Sequence, residues 1–295
     1  MPAPTTTWPG AIPAPTPIDP ATRLGAVHLT VSDLGASREF WTQSVGLRER
    51  EGGEPGVLAL HSGGEDLVVL HAQPGARPVS GRTGLFHVAI LLPTRADLAD
   101  WLAHALRDQV PLSGLSDHWV SEAIYLRDPD HHGIEIYADR PQGPAWERGM
   151  TTLPLAIREL LAEADEEAEG YAGMPQAARI GHVHLHVSDL PASTAFYVDV
   201  LGFDRTTTFG DQADFWSAGG YHHHLAGNVW AGVGAPAPDP GSAALRHLTV
   251  VLPSPEEVER VATRAYEAGT KPLVGPNDRG VIVRDPSHNA LLLTS

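Results

Sequence analysis

The chain has no cysteine. Disulfides and thiolate chemistry are excluded together, and the absence is in keeping with a cytoplasmic protein. Basic side chains are scarce. Lys+Arg 20 stand against Asp+Glu 36, a formal charge of −16 at pH 7. Nucleic acid and anionic membrane surfaces both call for basic surface, so the balance argues against either partner. No apolar run approaches the roughly 18 residues that a membrane span needs. Residues 1–23, rich in Pro, Thr and Ala, lack a basic and an apolar region and read as a flexible tail, not a signal peptide. What is abundant is histidine, 16 residues, several of them clustered. The 295 residues are 42% hydrophobic, enough for a sizeable core and for two domains.

The sequence repeats itself. Val31-Ser-Asp-Leu-Gly-Ala-Ser37 returns as Val187-Ser-Asp-Leu-Pro-Ala-Ser193, Leu-Leu-Pro at 91–93 returns as Val-Leu-Pro at 251–253, and Arg127-Asp-Pro129 returns as Arg284-Asp-Pro286. The chain is a duplication, and each half divides again. Segments 24–74, 84–138, 179–233 and 244–294 each read as βαβββ, giving an α+β fold of four modules. The halves 24–140 and 178–295 form the expected domains, joined by an acidic linker, 141–177. The linker holds a helical stretch, Ile157–Glu169, with no chemistry of its own. Ser32-Asp33 and Ser188-Asp189 cap the expected helices of the first and third modules, and Gly46 and Gly202 stop them. In the third module, strands are expected near 213–217, 221–225 and 228–231. One such module cannot cover both faces of its sheet, so modules should pair into curved cups whose concave face holds a site.

Candidate chemistry begins on the first strands. Aligned, they read Gly25-Ala-Val-His-Leu-Thr-Val31, Phe86-His-Val-Ala-Ile-Leu91, Gly181-His-Val-His-Leu-His-Val187 and Arg246-His-Leu-Thr-Val-Val251. His87, His182 and His247 coincide, with Ala26 in the first module. On the last strand, Glu135 of the second module matches Leu292 of the fourth. A carboxylate between Ile134 and Ile136 costs several kcal/mol if buried without a partner, and a cation would offset that. The alternative is a Glu on an exposed face beside a capping histidine. His87, His182 and Glu135 together make two histidines and one carboxylate, the set of non-haem Fe(II) oxygenases. By strand alternation His184 and His186 share the face of His182 and should line the cup; His28 and His247 read as structural core histidines. A second cluster, Tyr221-His-His-His224, sits in a strand-like pattern, and an imidazole there is a natural acid/base. Trp119, Phe215 and Trp230 either shape a ring pocket or are ordinary core.

With those residues in place, the chain resembles the vicinal-oxygen-chelate superfamily, and within it the two-domain extradiol ring-cleavage dioxygenases of the catechol 2,3-dioxygenase type. The resemblance covers 24–140 and 179–294. It implies cup-shaped sheets, Fe(II) (with Mn(II) an alternative) on His87, Glu135 and His182, and a catechol and O₂ as partners. It makes His223 the acid/base, because Tyr221-His-His-His224 is similar to the family's Arg-His-His-Thr strand with Tyr for Arg and His for Thr. Tyr125, ten residues before Glu135, and His118 would hydrogen-bond the substrate. The implied product is a ring-opened semialdehyde of the 2-hydroxymuconate type, within aromatic-hydrocarbon catabolism. In the commonest members the metal set comes from the third and fourth modules; here it is split over the second and third. Either these pair within one chain or a second subunit of a homo-oligomer supplies the partner. The superfamily also contains glyoxalase-type isomerases, usually with two carboxylates, and metal-free proteins that sequester drugs.

Overall fold

In the computed structural model the chain folds into two large curled sheets with helices packed on their convex sides. The structure describes residues 10–165, 170–276 and 279–295. Each module is a βαβββ unit. The second runs Gly84–Leu92, helix Arg95–Arg107, Leu112–Asp117, Ser121–Arg127 and Gly133–Asp139; the third runs Arg179–His186, a helical turn from Leu190, Asp204–Phe209, Ala213–Ser217 and Leu225–Asn228.

The pairing of modules crosses the duplication. Gly84–Leu92 lies antiparallel to Arg179–His186, so modules two and three form one nine-stranded sheet within a single chain. Arg23–Val31 lies antiparallel to Leu245–Val251, so modules one and four form the eight-stranded sheet. Each sheet therefore draws one module from each sequence half.

The repeated motifs hold the two sheets to each other. Asp128 of the Arg-Asp-Pro turn accepts from the backbone of Asp130 and His132 and from the Nε1–H of Trp41 in the first module. Asp285 repeats this with Ser287, Asn289 and the hydroxyl of Tyr197 in the third. Ser32 donates its backbone N–H to Asp130, and Ser188 does so to Ser287. These acceptors satisfy buried backbone donors that would otherwise cost about 1–3 kcal/mol each. Asp33 and Asp189 are the helix caps, and Gly46 and Gly202, at φ of 92° and 95°, end those segments.

Several expectations need correction. The helices after Asp33 and Asp189 pass into π-helical turns, Phe40–Ser44 and Phe196–Leu201, so a single amphipathic helix is not continued. Residues 219–224 are not a strand; that module's strands are 204–209, 213–217 and 225–228. Strand alternation consequently does not govern His222 to His224. In the linker the helix is Ile157–Leu161, and residues 166–169 lie outside the described ones. The tail is not free over 10–20. Ile12 exchanges backbone hydrogen bonds with Arg205, Ile18 donates to the carbonyl of Gly202, and both Ala14 and Ile18 are buried. Residues 1–9 lie outside the described ones. No described helix is long and apolar enough to cross a membrane.

Gly133 opens the strand that carries Glu135, beside the strand of His87. A Cβ there would stand 2.0 Å from the carbonyl oxygen of Phe86, a backbone atom that cannot swing aside. Gly133→Ala should destabilise the protein by about 3 kcal/mol, the upper end of overpacking costs. Urea unfolding measures this; an unchanged midpoint would mean the two strands are not held as close as described.

Candidate active site

The concave face of the nine-stranded sheet carries the chemistry. His87 stands on Gly84–Leu92, and Glu135 on the parallel neighbour Gly133–Asp139, where it pairs across with Ala89 and, on its other side, with Tyr125. His182 lies on Arg179–His186, also opposite Ala89. Three strands thus aim three side chains at one point.

The donors meet there. His87 Nε2 and Glu135 Oε2 are 3.1 Å apart, His182 Nε2 and Glu135 Oε2 3.2 Å, and the two Nε2 atoms 3.3 Å. All three residues are buried. Donors about 2.1 Å from a common ion would stand about 3 Å apart along an octahedral edge, so the triangle fits a divalent cation. The rest of such a coordination sphere would open into the cavity, as in the facial arrangement of two imidazoles and a carboxylate. His182 Nδ1 is buried without a hydrogen-bond partner among the described residues.

Electrostatics leave the cluster ready for a cation. Burial works to raise the Glu135 carboxyl, but the facing His182 and His87 outweigh it and hold the pKa at about 2. Burial drives His87 the other way, to about 3, against the opposing pull of Glu135. At neutral pH an ionised carboxylate therefore faces a neutral His87. Burial also pushes His184 and His223 well below the ordinary histidine range, with the neighbouring imidazoles adding to the effect.

Around the triangle lies a cavity of about 360 Å³. Phe86, Phe209, Phe215, Trp230, Ile134 and Met150 supply its apolar wall, and His118, Tyr125, His184 and His223 its polar points. Glu135 is the one carboxylate among its lining residues. Phe215 and Trp230 line it as a ring pocket would require; Trp119 is not among its lining residues and sits in a hairpin, where its backbone N–H donates to Asp117. His118 lies 2.8 Å from the Tyr125 hydroxyl through Nε2 and 2.6 Å from the carbonyl of Thr151 through Nδ1. A carbonyl only accepts, so Nδ1 carries the proton and Tyr125 donates to Nε2. Burial, reinforced by Glu135, raises the Tyr125 hydroxyl well above its usual range. The linker expected to be inert thus supplies Thr151 and Met150 to the site.

His223 lies tilted against His182, ring centres 4.1 Å apart, and its Nδ1 is 2.7 Å from Nδ1 of His222. His184 is not in the triangle: its Nε2 is 3.0 Å from the side-chain nitrogen of Asn228, whose oxygen accepts from Nδ1 of His186 at 2.8 Å. Among the described residues no other group of three or more such donors could hold an ion. The equivalent place in the eight-stranded sheet holds His28, His71 and His247, with Leu292 where Glu135 would be and Ala26 where His182 would be. His28 Nδ1 is 3.0 Å from His71 Nε2, and His28 stacks on His247 at 4.0 Å. His247 Nε2 is buried with no hydrogen-bond partner among the described residues.

The profile of the Glyoxalase/Bleomycin resistance protein/Dioxygenase superfamily matches residues 23–136 and 179–293. The chain belongs to this superfamily. It is 40% identical over 286 residues to "Catechol-2,3-dioxygenase" of Bacillus subtilis (strain 168), covering 94% of this chain and 98% of that protein. It is 24% identical over 266 residues to "Iron-dependent extradiol dioxygenase" of Rhodococcus jostii (strain RHA1), covering 84% and 78%. Among solved structures, glyoxalase I from Zea mays matches with a TM-score of 0.58 at 16% identity over 92% of each chain, a likeness of fold.

Sequence reasoning overlooked Phe86, Met150, Asn228 and Asp139. None belongs to a motif, and Met150 and Asp139 reach the site only through tertiary packing.

The buried neutral imidazoles make the metal-free protein acid-labile. Below about pH 6.5 the unfolded chain binds protons that folded His87 refuses until about pH 3. Stability is therefore full above pH 6.5 and falls as pH drops, by up to about 1.4 kcal/mol per pH unit for each such histidine. Glu135 adds its own loss only below its ordinary 4.5, as pH approaches 2. Urea titrations between pH 7.5 and 4.5 should show this decline; a flat profile would mean that these imidazoles ionise normally.

Proposed function

We infer that this protein is an extradiol ring-cleavage dioxygenase that opens a catechol with O₂ at a divalent metal, Fe(II) or Mn(II), held by His87, Glu135 and His182. The observation that carries the reading is the three-donor triangle at the floor of an aromatic-walled cavity, with His223 and Tyr125 on its flanks. The names of the two relatives support the same chemistry. The single carboxylate supports it over an isomerase of the glyoxalase type, for which two are usual.

When bound, the metal would lower the pKa of the catechol hydroxyls and bring substrate and O₂ together. The protein's own residues do the rest. Phe86, Phe215 and Trp230 hold the ring and exclude water. His223, neutral and facing the cavity, accepts a proton from a substrate hydroxyl and returns it to oxygen as the ring opens. Tyr125 gives its one hydroxyl proton to His118 Nε2, so its oxygen is directed to accept from a substrate hydroxyl. Its raised pKa keeps the phenol protonated, and so keeps that bond to His118. Both atoms of O₂ enter the product, a semialdehyde of the 2-hydroxymuconic type. A cytoplasmic location is part of this reading.

Protein loaded anaerobically with Fe(II) should hold about one equivalent and consume one O₂ per catechol or 3-methylcatechol, giving a yellow ring-fission product. Glu135→Ala should lose the metal. His223→Ala should keep it while turnover falls by roughly 10²–10⁴, the usual contribution of a general acid/base. Metal bound with no uptake on any catechol would move the reading to an isomerase; intact turnover in His223→Ala would remove the role given to that residue.

A further inference from the structure

The base has a support that a cavity-lining histidine does not need. His222 is fully buried between two partners: its Nε2 lies 3.0 Å from Asp139 Oδ1 and its Nδ1 2.7 Å from Nδ1 of His223. The other oxygen of Asp139 accepts from the Tyr221 hydroxyl at 2.9 Å, and that hydroxyl is 2.8 Å from the hydroxyl of Tyr137. A carboxylate only accepts, so the proton between Asp139 and His222 sits on Nε2. With one proton per ring, His222 Nδ1 is then bare and must accept from His223 Nδ1–H. The second ring nitrogen of His223, Nε2, is left with its lone pair, and His223 lines the cavity.

We propose that Asp139 and His222 form a relay that fixes His223 in the Nδ1–H tautomer, presenting Nε2 as the base. It rests on the assignment of His223 as the acid/base. When a substrate O–H proton moves to Nε2, the new imidazolium keeps Nδ1–H bonded to His222, whose Nε2–H remains bonded to Asp139. No second proton need travel. The carboxylate stabilises the charge through one intervening ring, as the aspartate does directly in a serine-protease triad. Asp139 and His222 are thus positioning residues; neither touches the substrate.

The decisive measurement is ¹⁵N NMR of the full chain with ¹⁵N-labelled histidine, metal-free and again with diamagnetic Zn(II). His223 should carry its proton on Nδ1 and His222 on Nε2. A His223 protonated at Nε2 overturns the proposal, whatever the variants do. Asp139→Asn lacks the charge in either orientation of its amide. It should lower kcat by about 100-fold or more, with metal content and KM for catechol close to unchanged. Tyr221→Phe keeps the carboxylate and its bond to His222, and should hold kcat within a few-fold. Asp139→Asn with unchanged kcat would overturn the proposal. The NMR measurement requires no turnover, so a chain inactive on every catechol would defeat the dioxygenase reading while the spectrum still settled the tautomer.

Discussion

The structure depends on one strand pair, Gly84–Leu92 against Arg179–His186. Antiparallel pairing brings residues of distant modules to Cα spacings near 5 Å, and it does so in a fixed register. That register sets His182 directly across from Ala89, two residues along the strand from His87, and the parallel neighbour adds Glu135 on the other side of Ala89. Slipping it by one residue would turn every side chain to the other face and dissolve the triangle. The pair therefore joins two modules, closes the sheet and builds the candidate metal centre at once.

The two sheets are the same architecture with different contents. In the nine-stranded sheet a buried carboxylate, Glu135, lies against His182 and against His87, which burial holds neutral. In the eight-stranded sheet Leu292 removes the carboxylate, and His28, His71 and His247 stack and hydrogen-bond among themselves. Burial takes His28 to about 3 and His247 to about 4, so these rings too are uncharged at neutral pH. Duplication supplied two cups, and Leu292 and Ala26, in the places of Glu135 and His182, distinguish the second from the first.

Much of this was legible in the sequence because duplication makes a sequence its own comparison. Aligning four first strands singled out His87 and His182, and the mismatch of Glu135 with Leu292 singled out the carboxylate; these three side chains do meet. The cap residues Asp33 and Asp189 were visible because their chemistry is local. What was hidden is not local. Asp139 approaches His222 across 83 positions, and Thr151 reaches His118 across 33. The π-helical turns were invisible because one extra residue per turn hardly alters an amphipathic pattern. The run Tyr221 to His224 looked like a strand by composition, yet Gly219 and Gly220, at φ of 63° and 77°, break it into a turn that hands His223 to the cavity.

The crossed pairing also sets an order of assembly. A chain made from its N-terminus completes the strands of the nine-stranded sheet once residue 228 has emerged, whereas Arg23–Val31 must await Leu245–Val251, near the other end. Until then Arg23–Val31 keeps an unpaired edge, the kind of surface on which chains join wrongly. The Asp128–Trp41 and Asp285–Tyr197 bonds tie the late sheet to the early one. The sheet without the candidate metal site is thus the later of the two to complete its central strand pair.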